Sequence, residues 1–155
     1  EVLLDAISEV ASVPEVFKLK DVPDARIPVG TRAVNLKFPG AYSTRFLEVY
    51  GRPLRDVVPE RSIKANLSQA LHIIVSSTYN EKLFGESSRI DRLIKQGASD
   101  LEVIEELYLA ALSRFPTKEE QSGLVKLIRE QPSRKIGLED LLWALIASRE
   151  FSGNH

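Results

Sequence analysis

Five side chains in the middle of this 155-residue chain are of types that could bind a ligand: Arg52, Glu60, Arg61, Gln69 and His72. Gln69 and His72 are three apart, so a helix places them on one face. Arginine forks match carboxylate, sulfate or phosphate, and a histidine adds a donor or acceptor near neutral pH. Together the set could hold an anion. A local role competes and is favoured on general grounds. Glu60 and Arg61 can pair and brace the loop before the helix, and His72 can bond a backbone carbonyl, because buried polar groups are usually satisfied.

Other chemistry has few parts to draw on. Glu102 and Glu106 share a helix face, but acid–base catalysis needs a pocket that drives two pKa values apart, and exposed glutamates at this spacing are ordinary helix formers. The chain has no cysteine and only two histidines, His72 and His155. Thiolate zinc sites, iron–sulfur clusters, disulfides and cysteine nucleophiles are therefore excluded within it, and no metal or other cofactor is expected. Gly30, Gly40, Gly51 and Gly97 stand singly at turns, in no phosphate-cradling pattern. Asn66-Leu67-Ser68 matches a glycan acceptor, yet it opens an expected helix and is read as a cap.

The charges are balanced, with 21 Lys and Arg against 22 Asp and Glu. Such a surface sets up no broad positive field, so nucleic acid is not an expected partner. The longest strongly apolar run, Leu141 to Ala147, is far short of the ~20 residues that span a bilayer. Glu1 already lies inside an amphipathic pattern without signal-peptide order, so the natural protein is expected to extend upstream.

These residues must be positioned mostly by helices. Val2, Leu3, Ala6, Ile7 and Val10 have helical spacing. From Pro14 to Gly40, four prolines and two glycines predict a loop-rich stretch. Inside it, Val34, Leu36 and Phe38 alternate with polar or small neighbours and predict a short strand, with Arg26 to Val29 as a hairpin partner across Gly30. Residues 44–50 are a short helix or strand, stopped by Gly51-Arg52-Pro53. A helix follows from about Asn66 to Ser77. Ser87 or Ser88 caps the next, which Gly97 ends, and Ser99/Glu102 and Thr117/Glu120 have capping-box spacing for two more. The last helix starts between Ser133 and Leu138 and runs to about Phe151, its main face Leu138, Leu141, Leu142, Leu145 and Ile146. The sum is a mainly α chain. We expect a single helical domain over residues 1–155, a compact bundle of about six short helices, with one short β-strand or hairpin in a loop-rich N-terminal third.

In order along the chain, Leu3-Leu4-Asp5-Ala6-Ile7, Gly30-Thr31-Arg32-Ala33-Val34, Phe46 to Pro53 with its Tyr50-Gly51-Arg52-Pro53 turn, Glu60-Arg61-Ser62, Leu67 to His72, Ile104 to Arg114 with Pro116-Thr117 and Glu120, Leu138 to Ser148, Glu150-Phe151 and Asn154-His155 form a pattern. This set resembles a domain of unknown function, of the PSD-one type, found at the C-terminus of large planctomycete proteins that also contain a cytochrome-c-like domain. The resemblance implies an exported, periplasmic or cell-surface or secreted, multidomain bacterial protein in which this module follows other domains, and it supplies no activity. Relatives often have cysteines just before Glu-Arg, where this chain has Val57, Val58 and Pro59, so no metal or disulfide role carries over. After His72, Ile74-Val75-Ser76 replaces the familiar Leu-Asn-Ser.

The reading favoured here is a non-catalytic structural or interaction module that packs on its upstream domains, a cytochrome-c-like domain among them, or on another partner. The alternative is an anionic-ligand or glycan-binding domain, even an enzymatic one, using Arg52, Glu60, Arg61, Gln69 and His72.

Overall fold

The computed structural model describes residues 1–22, 27–37, 39–42, 45–50 and 77–154. Its first helix, α1 (Val2–Ala11), buries Leu4, Ile7, Val10 and Ala11, the three-and-four spacing that sequence periodicity predicts. Ser12 closes it in the left-handed conformation at φ 58°, its N–H donating to the Glu9 carbonyl.

The expected strand through Val34 is instead a 3₁₀ turn, Ala33–Asn35. The reason is a long-range contact. The Asp5 carboxylate accepts the Ala33 N–H at 2.6 Å and the Val34 N–H at 3.1 Å, taking up amides that a strand would have offered to a neighbour. The proposed hairpin partner is replaced by a tight turn in which the Thr31 N–H donates to the Pro28 carbonyl at 3.1 Å; Arg26 and Phe38 lie outside the described residues. Extended pairing among the described residues reduces to one antiparallel bridge, Leu19 with Tyr42, beside an edge-on contact of Phe17 and Tyr42.

Within the expected element at 44–50, Arg45–Val49 form a helix, α2, whose Phe46 and Leu47 are fully buried; Thr44 lies outside the described residues. The expected helix from about Asn66 lies outside the described residues up to its last position. Ser77–Phe84, α3, is helical, and beyond Ser77 periodicity assigned nothing to it.

The C-terminal half follows its caps. Ser88 accepts the Asp91 N–H to open α4 (Arg89–Lys95), and Gly97, at φ 77°, ends it with the Ala98 N–H donating back to Leu93. Both predicted capping boxes are closed in both directions, Ser99 with Glu102 on α5 (Asp100–Leu112) and Thr117 with Glu120 on α6 (Lys118–Glu130). Ser133 caps α7 (Arg134–Ala147).

The last helix does not run to Phe151 unbroken. Ser148 is extended and its hydroxyl accepts the Phe151 N–H at 3.1 Å, starting a separate short helix, α8 (Arg149–Asn154). The kink turns Phe151 fully into the core, which offsets the lost helical continuity.

One hydrophobic core joins these elements. Its centre is α7, which packs on α3, α4, α5, α6 and α8, with α5 between it and α1. All five residues of the expected main face of α7 are buried, while Ala144 and Ala147 are exposed. The chain is mainly helical, as its patterning predicts.

Candidate functional site

The five residues singled out by sequence, Arg52, Glu60, Arg61, Gln69 and His72, all lie outside the described residues. The two glutamates considered for acid–base work have other partners. Glu102 accepts the Ser99 N–H at 2.7 Å, a bond that holds its carboxyl below the usual range. Glu106 accepts from the Arg89 guanidinium. Among the described residues no group of three or more His, Cys, Asp or Glu is placed to hold a metal ion, and no helix is long and apolar enough to cross a membrane.

A polar cleft of about 270 Å³ opens between α1 and the turn before the 3₁₀ segment. Asp5, Ser8, Glu9 and Ser12 line one side and Thr31 and Arg32 the other. Its charged groups serve the joint. Asp5 is buried and holds the two amides already described. The carbonyls at the end of α1 are taken by cations from later in the chain: Arg89 donates to Val10 at 2.7 Å and to Glu9 at 3.0 Å, and buried Lys82 donates to Val13 at 2.8 Å while pairing with Glu15 at 3.2 Å. Cations there also complement the negative end of the helix dipole.

A second polar cluster fastens the ends of three helices. Arg114, just past α5, donates to both oxygens of Glu120 at 2.9 and 3.0 Å and to both oxygens of Glu150 at 2.7 and 3.1 Å, and its guanidinium lies 5.2 Å from the Tyr108 ring centre. Bidentate geometry of this kind is the strong form of the ion pair. Arg114, with help from the Thr117 N–H, holds the Glu120 carboxyl down to about 2.

The arrangement best suited to recognition is apolar. Helices α6 and α7 form a hairpin, and between them lies a groove of about 230 Å³. On α6 its wall is Leu124, Leu127, Ile128 and Gln131; on α7 it is Gly137, Asp140, Leu141 and Ala144. Both sets step through positions i, i+3, i+4 and i+7, so each helix turns one continuous stripe to the groove. Ile128 and Leu141 are buried, but Leu127 is 54% exposed.

Gly137 brings the two helices together. A β-carbon built there would lie 2.9 Å from the Ile128 α-carbon and 3.2 Å from its carbonyl oxygen, so only glycine fits without a shift. The Asp140 carboxylate, exposed on the groove wall, has no ion-pair or hydrogen-bond partner among the described residues. Its neighbour Glu139 is buried, with one carboxylate oxygen sealed from solvent and without a hydrogen bond. Burial pushes the Glu139 carboxyl above its usual range, outweighing the opposite pull of Lys135 at 3.7 Å.

Sequence reasoning missed this groove, although two of its signals were present. The apolar residues of α6 cluster at 124, 125, 127 and 128, and a glycine interrupts an otherwise strong helix at 137. No family model matches the chain, and searches of curated proteins and of solved structures found no significant match.

Proposed function

We propose that this chain is a non-catalytic interaction module of a large exported bacterial protein, of the PSD-one type that the ordered residue pattern resembles. The observation that carries the reading is the open seam between α6 and α7. A helix such as α6, with four apolar residues on one side, normally buries that side. Here Ile128 is buried while Leu127 stays more than half exposed. The main face of α7 is already consumed by the chain's own core, and what the hairpin leaves open at the seam is Leu127 with Ala144, beside a half-buried Leu124. Upstream domains of the same protein are the partners this reading assigns.

This chain has no cysteine of its own, so a thiol introduced into it is read at that position by peptide mass spectrometry. Leu127→Cys, and Val29→Cys as a control at a 77% exposed position, are labelled with a maleimide in this chain and in the longer protein. The reading requires the labelling rate at position 127 to fall at least about tenfold in the longer protein while the control is unchanged, as expected for burial under a packed interface. Equal rates at 127 in both settings would refute it.

A further inference from the structure

We infer that the groove between α6 and α7 accepts an amphipathic helix that presents an apolar ridge of leucine- and alanine-sized side chains and a lysine or arginine beside Asp140. The inference rests on the interaction reading above and specifies the partner.

Three observations lead to a helix. The groove walls are two stripes with the same helical step, 124, 127, 128, 131 and 137, 140, 141, 144. A surface built on that period is matched by another element of the same period, since ridges at i, i+3 and i+4 seat between such rows, whereas a strand's period of two does not. The contact at Gly137 holds α6 and α7 close, and two helices in contact leave a trough parallel to their axes that a third helix fills. The volume, about 230 Å³, suits a few side chains of a ridge and lies below the roughly 300–1,000 Å³ usual for small-molecule pockets.

The charge follows from Asp140, the one ionisable residue among the described residues that line the groove. Docking an apolar ridge would bring this unpaired carboxylate to the interface rim. A basic residue on the partner compensates it, while an acidic one meets repulsion at the same point.

Two synthetic helices of about 15 residues, long enough to be helical with a favourable sequence, provide the probe. They share one leucine and alanine ridge; lysines flank it in one and glutamates in the other. Each is titrated into the full chain while the methyl signals of Leu124, Leu127 and Leu141 are followed by NMR. The lysine-flanked helix is expected to shift those three residues and to bind about three- to fivefold more tightly than its counterpart, the scale of one rim ion pair. Asp140→Asn abolishes that preference, and Glu86→Gln, an exposed acid outside the groove, leaves it intact.

Equal binding of the two peptides, or a preference that survives Asp140→Asn, overturns the basic partner. Failure of both to shift the three methyl groups overturns the helix, as do shifts that depend on protein concentration without peptide, which indicate a second copy of this chain as occupant. The cysteine-labelling experiment tests the interaction reading separately, since it needs no assumption about the partner's structure or charge.

Discussion

Replacing each of two helical glycines by alanine should move stability in opposite directions, although local helix propensity treats the two alike. Gly123 lies within α6 and Gly137 within α7. In either, alanine gains about 0.5–1 kcal/mol by restricting the unfolded chain and favouring the helix. At Gly123 an added β-carbon meets nothing within 4 Å, so the gain is realised in full. At Gly137 the same carbon lies 2.9 Å from the Ile128 α-carbon, a backbone atom that moves only if the whole of α6 moves. Overpacking of this kind costs about 1–3 kcal/mol. The net for Gly137→Ala is then a loss of up to about 2.5 kcal/mol, and the difference between the two variants isolates the steric cost, about 1–3 kcal/mol. Urea unfolding followed by circular dichroism, analysed with a shared slope, measures both. In a chain of this size the difference corresponds to some 2–4 °C in Tm for each kcal/mol. Stabilisation of both variants by the same amount would show that Gly137 is not the point of closest helix contact, and the trough argument would fail with it.

Two further predictions concern buried carboxyl groups. Asp5→Ala orphans the amides of Ala33 and Val34 and should cost about 2–4 kcal/mol, while Asp5→Asn, which keeps one acceptor, recovers roughly half; a loss under about 0.5 kcal/mol for the alanine variant would mean that the 3₁₀ segment stands without Asp5. Glu139 has its carboxyl raised in the folded state, so its contribution is full below the unfolded value of about 4.3 and is lost as pH rises through the folded one. Glu139→Gln should therefore flatten that part of the stability–pH curve and be more stable than the parent at pH 7 by on the order of 0.5–1 kcal/mol; a curve that is unchanged counts against the assignment.

How far the fold could be read from sequence depended on whether the cause was local. Ser99 with Glu102 and Thr117 with Glu120 announced α5 and α6 because a capping box closes within four residues. Leu138 to Ile146 announced the core face of α7 for the same reason, since helical period is a short-range property. The alternation around Val34 misled because its amides are claimed by Asp5, 28 residues earlier, and no window of local periodicity contains that contact. Helix α3 escaped notice for a related reason. Its buried residues include Lys82, whose place is set by the Val13 carbonyl and Glu15 rather than by an apolar stripe.

The candidate site divides in the same way. Residue types, with the three-residue spacing of Gln69 and His72, drew attention to Arg52, Glu60, Arg61, Gln69 and His72, which lie outside the described residues. The groove between α6 and α7 depends on how two helices are set against each other, and the sequence held only its halves. By local propensity Gly137 is a weak point in a helix. Its purpose becomes visible only when Ile128 of the neighbouring helix lies against it.

The bonds that finish α1 reach far along the chain: Lys82, Arg89 and Arg92 contact residues 69 to 80 positions earlier. During synthesis α1 leaves the ribosome long before those cations exist, and until then its contacts are confined to nearer segments such as the 3₁₀ turn that Asp5 holds. The hairpin of α6 and α7, by contrast, is made of near neighbours that can meet at once. Order among these helices is therefore expected to spread backwards, with α1 reaching its final place after the hairpin that is made later.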